Sequence, residues 1–304
     1  MKNKVKTAGG AVFLIALACG PFAAAAQVKI PFNKFSLKIS AGYGFTGFGD
    51  LNKAAEGHND RFWDLANLMG FEITGKLSLP RTGFDFNGEI TLQIIKRLEL
   101  GLGLGRISRS SGPSEVGMRQ ASSGALSLVR WTTSASAIPL TLNVYYHIPL
   151  SSRVTAILKA GLGGYFANYE LTDDRRSELL GIQTWNLTTS RGRDSALGYQ
   201  AGLNLEYEIS KVSSCFIEGT WRFVNFKNWA AEYDYSSSSV TDLLRMASCW
   251  YVEELNRDTV KSYPGFLYSG QNPASAAFQN VRQAEIDFSG WSVQAGLRIR
   301  FGKS

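Results

Sequence analysis

Every second residue of the closing stretch "GWSVQAGLRIRF" (290–301) is apolar: Trp291, Val293, Ala295, Leu297, Ile299 and Phe301. Ser292, Gln294, Gly296, Arg298 and Arg300 stand between them. This is the period of a β-strand with one apolar face. The pattern recurs along the chain, and that recurrence constrains the fold more than anything else in it. "FSLKISAGYGFT" (35–46), "FDFNGEITLQI" (84–94) and "LELGLGLG" (98–105) alternate in the same way. So do "IPLTLNVYYHI" (138–148), "VTAILKAGLGGYF" (154–166), "LGYQAGLNLEYEI" (197–209) and "CFIEGTWRF" (215–223).

The connections are sorted by length. "KR" (96–97), "PLSSR" (149–153) and "SKVSS" (210–214) are short polar turns. The other gaps are long and cover 47–83, 106–125, 172–194 and 234–284. Strict alternation of short and long connections is the habit of outer-membrane barrels, which keep short periplasmic turns and longer outer loops. Two of the long gaps carry helical spacing. Phe62, Leu65 and Met69, after Asn59 and Asp60, predict a helix over 60–69. Val240, Leu243, Leu244, Ala247, Trp250, Tyr251 and Leu255, after Ser239, predict another over 240–256.

The chemistry of the two faces says which one is wet. The apolar face of these stretches carries no Lys, Arg, Asp or Glu. One such charge at mid-bilayer costs roughly 2–4 kcal/mol, so a lipid face excludes it. The polar face is rich in glycine, including Gly42, Gly44, Gly101, Gly103, Gly161 and Gly202. Glycine weakens an exposed strand but suits a crowded, strongly curved interior. The charges on that face balance: Lys38, Lys159, Arg222 and Arg298 against Glu89, Glu99, Glu206 and Glu218. Buried charge is tolerated when paired, so these eight are expected to form a network that plugs the lumen. Aromatic residues cluster at the strand ends. Tyr43, Phe45, Trp221, Phe223 and Trp291 fall near the long connections, and Phe35, Tyr146, Tyr207 and Phe301 near the short turns. Two girdles at two interfaces are expected of a membrane barrel.

The N-terminus reads as a targeting segment. Lys2, Lys4 and Lys6 precede the apolar "AVFLIALA" (11–18), and "AAAA" (23–26) offers small-residue cleavage after Ala26. A lipoprotein reading through "ALAC" and Cys19 ranks lower, because Ala16 stands where a Leu is usual. The expected division is therefore a signal peptide at 1–26 and a barrel domain at 27–304. Cleavage removes three of the 32 basic residues and none of the 25 acidic ones, lowering the net charge from +7 to +4. So mild and dispersed a charge does not indicate nucleic acid. Cys215 and Cys249 then remain, and the layout predicts that they are not paired.

On these residues the chain resembles the small outer-membrane β-barrel proteins of Gram-negative-type bacteria, the porin-like superfamily of OmpA, OmpX, OmpW and opacity-protein barrels. The closing "LRIRF" is similar to that family's terminal strand signature, although Gly302, Lys303 and Ser304 follow Phe301. The resemblance spans the signal peptide and all eight strands. It implies an eight-stranded antiparallel transmembrane β-barrel with four long outer loops, two of them holding short helices. It further implies location in the outer membrane and no added periplasmic domain after Phe301. It implies contact with outer-membrane lipid and lipopolysaccharide, and with the barrel assembly machinery and periplasmic chaperones during biogenesis.

Few residues suggest chemistry. "GLGLGR" (101–106) lies inside a strand, where a phosphate loop cannot form. Two histidines, His58 and His147, and two distant cysteines make no metal cluster, so no cofactor or metal is expected. His58 with Asp60 is a common polar pair, and His147 lies near a periplasmic turn, so no enzyme is expected either. The outer segments carry Arg106, Arg109, Arg119, Arg130, Arg175, Arg176, Arg191 and Arg193. Arg106 and Arg193, nearest the strand ends, are the candidates for contact with glycolipid phosphate, which Arg can grip in bidentate fashion. The leading expectation is a structural or adhesin-like surface role, with 234–284 as the candidate contact region. A narrow, OmpW-like conduit for small or hydrophobic solutes is the alternative, and a lipid-modifying enzyme ranks third.

Overall fold

A computed structural model describes residues 35–120, 123–179, 182–238, 241–256, 261–269, 273 and 278–301. The expected signal peptide lies outside the described residues. The chain opens with β1 (Phe35–Thr46), α1 (Asp50–Met69), β2 (Phe71–Lys76), β3 (Thr82–Ile95) and β4 (Leu98–Ser110). There follow β5 (Ser114–Gln120), β6 (Leu126–Pro149), β7 (Val154–Leu179), β8 (Ile182–Ser210) and β9 (Ser213–Phe223). Then come β10 (Asn225–Phe226), β11 (Ala230–Ser237), β12 (Thr241–Asn256) and β13 (Lys261–Ser269). β14 (Phe278–Gln283), β15 (Ile286–Asp287) and β16 (Gly290–Phe301) complete it.

Eight strands close a ring in the order β1, β3, β4, β6, β7, β8, β9, β16. β16 pairs back on β1 from Phe35↔Phe301 to Thr46↔Gly290. The two-faced strand at the end of the chain is thus the seam of the barrel, and it leaves no unpaired edge in lipid. The apolar rows point outward. Leu158, Leu162 and Phe166 of β7 are exposed, as are Leu203, Leu205 and Tyr207 of β8. The eleven residues from Ala156 to Phe166 span about 36 Å along the strand, or roughly 25 Å of height at a tilt near 45°. That height matches an outer-membrane apolar band.

The outer segments differ from the expectation of loops. β6, β7 and β8 run on past the apolar band for 24, 26 and 29 residues in all. β2 and β5 extend this wall on the β6 side, and β11 to β14 on the β8 side. Most of the four expected loops is therefore sheet. The expected helix at 60–69 is the second half of a longer one, α1, which starts at Asp50. It ends at Gly70, whose φ of 70° supplies the left-handed turn after its last residue. The expected helix over 240–256 is instead strand β12, which pairs with β11, β13 and β14. Its apolar residues fit either period, and three neighbouring backbones offering hydrogen bonds decide for the strand.

Inside the outer wall sits a second core. Phe48 and Leu51 at the entry to α1 pack with Val129, Trp131 and Ala135 of β6 and with Tyr169 and Leu171 of β7. Phe226, Trp229, Ile286 and Phe288 belong to the same cluster.

Candidate functional site

The inward face of the barrel is filled by three layers of charge. At the inner end, Arg298 Nη1 lies 3.2 Å from both Glu99 Oε2 and Glu206 Oε2. Arg300 also pairs with Glu206, and His147 Nε2 lies 2.7 Å from Glu99 Oε2. In the middle layer Glu218 holds two lysines, Lys159 at 2.7 Å and Lys38 at 3.2 Å. Lys38 also lies 3.7 Å from Glu89 and 4.4 Å from the centre of the Tyr145 ring. Tyr145 donates its hydroxyl proton to Glu89, and Asn143 donates to the same carboxylate at 2.7 Å. At the outer end Asp85 takes Arg109 at 2.6 Å and Arg222 at 3.2 Å.

All eight network residues read from the sequence lie in these layers. Asp85, Asn143, Tyr145 and Arg109 were not among them. The signal was present: 99, 101, 103, 105, 107 and 109 share one parity, so the inward row of β4 continues to Arg109. Arg109 is fully buried in the lumen, not solvated in an outer loop as its place in 106–125 suggested. The density of side chains also explains a glycine. A Cβ on Gly161 would stand 1.9 Å from Asn143 Oδ1, so no larger residue fits there.

Above the outer layer the mouth is closed. Phe226 and Phe288 meet edge to face at 5.3 Å, and Phe48 meets Phe288 at 5.6 Å. The lid is tied to the lumen, because Arg222 Nε donates to the Phe288 carbonyl at 3.1 Å. Helix α1 is clamped over this lid. Arg282 donates to both oxygens of Asp50, at 2.5 and 2.7 Å, and the Glu285 amide donates at 2.9 Å. Burial alone would raise the Asp50 carboxyl, but the hydrogen bonds from Arg282 and Glu285 outweigh it and hold the group below its ordinary value. Further along α1, Tyr263 donates to Asp64 at 2.7 Å and Lys261 pairs with it at 2.8 Å. A Cβ on Gly57 would stand 2.3 Å from the Pro264 carbonyl, so the helix approaches β13 at a point that only glycine permits.

His58 sits on α1 with its ring 5.1 Å from that of Trp131, edge to face. Burial, with Arg175 close by, pushes its imidazole down to about 4. It is a packed, neutral side chain. No group of three His, Cys, Asp or Glu among the described residues could hold a metal.

The other sequence-derived residues lie on the outside. The aromatics Tyr43, Tyr146, Tyr207, Trp221, Phe223, Trp291 and Phe301 are exposed, and Phe35 and Phe45 are partly so. Phe45 stacks on Trp291 at 6.5 Å, and Trp291 is in register with Trp221. Arg106 follows Leu104 on the outward row of β4, and Arg193 follows the outward row of β8 above Leu197. Tyr251, expected on a helical contact region, is instead buried against Arg282, whose guanidinium lies 4.4 Å from its ring centre. Cys215 is a free thiol.

Three solved structures are distantly similar to this chain. Neisserial surface protein A is 9% identical, with 88% of this chain and 97% of that one covered and a TM-score of 0.35. CarO of Acinetobacter baumannii is 13% identical, with 71% and 92% covered and a TM-score of 0.32. The outer membrane protease OmpT from Escherichia coli is 10% identical, with 90% and 99% covered and a TM-score of 0.33. Likenesses this distant carry no functional argument. No curated protein matches the chain. The sequence itself matches the model of the outer membrane protein beta-barrel domain over residues 12–245. With the closed ring, the outward apolar band and that match, the chain belongs to the outer-membrane β-barrel domain family.

Proposed function

We propose that this protein is a closed outer-membrane anchor that carries a rigid, β-structured platform for contacts at the cell surface. The observation that supports this most is the seal. Between the middle and outer ion-paired layers the side chains leave a space of only about 30 Å³, on the scale of a water molecule. The lid of Phe48, Phe226 and Phe288 then covers the mouth. The surface that fits the contact role is the β7–β8 tip rather than 234–284. There Ile182 is 70% exposed and Trp185 43%, with Leu126 and Leu187 beside them. Trp185, Leu126 and Leu187 line a cleft of about 530 Å³ that Arg176 and Glu178 rim with charge. Apolar side chains rimmed by polar ones mark interaction surfaces.

On this reading the outer-membrane lipid surrounds the aromatic rows, and Arg106 and Arg193 meet outer-leaflet glycolipid phosphate just above the apolar band. The assembly machinery and chaperones would act through the closing strand before it seals. Export by residues 1–26 belongs to the same proposal. On this reading the protein is a scaffold and not a catalyst: among the described residues the lumen carboxylates are ion-paired, His147 lies against Glu99, and the His58 ring packs on Trp131. The test is single-channel recording on the refolded barrel in planar bilayers. The closed anchor gives no discrete conductance at moderate voltage. Regular conductance steps would overturn it in favour of the narrow conduit.

A further inference from the structure

The three layers of the lumen do not carry equal charge. In the middle, Lys38 and Lys159 are matched by Glu89 and Glu218. At the inner end, Arg298 and Arg300 are matched by Glu99 and Glu206. At the outer end, Arg109 and Arg222 share one carboxylate, that of Asp85. Neither arginine makes any other ion pair among the described residues. This layer therefore holds one positive charge too many, in a place that is buried and lies under an aromatic lid. An uncompensated buried charge is the costly case, far more so than a buried pair.

The donors of this layer are also incompletely used. Arg109 Nη2 and Arg222 Nη2 are buried and have no hydrogen-bond partner among the described residues, and neither has the hydroxyl of Tyr165. Both arginines and the tyrosine are at least nine-tenths buried. Arg222 and Tyr165 line the same 30 Å³ cavity, together with Lys159, Thr220 and Ser292. Arg109 is not part of that lining but pairs with Asp85, which is. Each guanidinium keeps one Nη2 without an acceptor, and so does the Tyr165 hydroxyl, beside a small polar space that Asp85 also lines; with two arginines and Lys159 against that one carboxylate, the spare donors suit an anion and not a cation. A volume of about 30 Å³ is enough for one monatomic ion.

We propose that the outer layer of the lumen binds a single halide ion, chloride in the cell, held by Arg222 and Tyr165 with Arg109 supplying the balancing field. The ion makes the layer neutral and gives the orphaned donors an acceptor. It is a structural counter-ion, held beneath the aromatic lid.

Two measurements on the full refolded barrel test this. Crystals grown in sodium bromide are read for anomalous scattering at the bromine edge. The midpoint of the heat-modifiable gel shift is measured in sodium chloride and in sodium gluconate at equal ionic strength, since gluconate is too large for the cavity. The expected result is an anomalous peak within hydrogen-bond distance of Arg222 and Tyr165, with a midpoint higher in chloride than in gluconate. Tyr165→Phe should weaken the peak, and Arg222→Gln should abolish the chloride dependence. If Arg222→Gln does not fold, Tyr165→Phe and the wild-type peak still decide. No peak in the lumen, with the density refining as water, overturns the proposal. A peak with equal midpoints in the two salts shows binding at crystal concentration only, and overturns it as well.

Discussion

The two halves of β6 use one parity for opposite purposes. From Ile138 to Ile148 the outward residues are apolar, and the inward ones are Pro139 and then Thr141, Asn143, Tyr145 and His147. From Leu128 to Ala137 the inward residues are Val129, Trp131, Thr133, Ala135 and Ala137, and the outward ones include Thr132, Ser134 and Ser136. Odd numbers face inward throughout, with Trp131 and Tyr145 equally buried. What changes is the surrounding medium. In lipid the outer surface must be apolar, so polarity goes inside and must be satisfied there. In water the hydrophobic effect returns, and the apolar residues move to the interior. The two cores should therefore fail differently.

The largest effect is expected in the lumen. Glu218→Gln strips the carboxylate from two buried lysines and should cost about 3–5 kcal/mol in urea unfolding of the barrel in lipid vesicles. A loss near zero would mean that water reaches this layer, and the contrast between the halves would collapse. Leu51→Ala, in the outer core, should cost about 2–5 kcal/mol. That loss should appear as protease sensitivity of α1 while the heat-modifiable barrel band persists. If the band disappears too, the halves form one cooperative unit.

A smaller effect is set by pH. His58 titrates near its ordinary 6.5 when unfolded and near 4 when packed on Trp131. Its neutral form is the folded one, so the outer half keeps full stability above 6.5. It loses stability as pH falls from 6.5 towards 4, with no further change from this group below that. His58→Phe should flatten that slope in a pH series of α1 protease sensitivity. The smallest effect on stability belongs to the tip. Replacing Ile182 and Trp185 by serine should shift unfolding by less than about 0.5 kcal/mol, because both are exposed. The same pair should abolish surface-dependent cell adhesion. Unchanged adhesion would remove the tip from the proposed contact surface.

How much of this was legible follows from which features are local. The eight strands of the ring were readable because alternation needs only neighbours in sequence. β1 matched over its whole length, from Phe35 to Thr46. The outer halves of β6, β7 and β8 were missed because a search for continuing apolar faces stops where the medium changes. Ile138 ends one row, although the parity runs unbroken to Leu126. β12 was read as a helix because its three partner strands are named nowhere in its own residues. The members of the charge network could be written down, since each lies on an inward row. Their pairing could not: Lys38 meets Glu218 across 180 positions. Arg109 escapes for the same reason as the upper strands, because it lies beyond Leu104, where the apolar row of β4 ends.

The unbroken ladders of β6, β7 and β8 have a mechanical consequence. β8 reaches from Ser210 at the inner turn to Ile182 at the tip without a hinge among the described residues, and β7 pairs with it from Tyr207 to Ile182. The fifteen residues from Ile182 to Ala196 carry the tip about 50 Å along the strand, or roughly 35 Å above the lipid at the barrel's tilt. A partner gripping the tip would be held at a set stand-off distance. A pull along the strands would load the ladder in shear, many hydrogen bonds at once, instead of unzipping them one by one. The tip behaves as the head of a stiff mast whose foot is the membrane barrel itself.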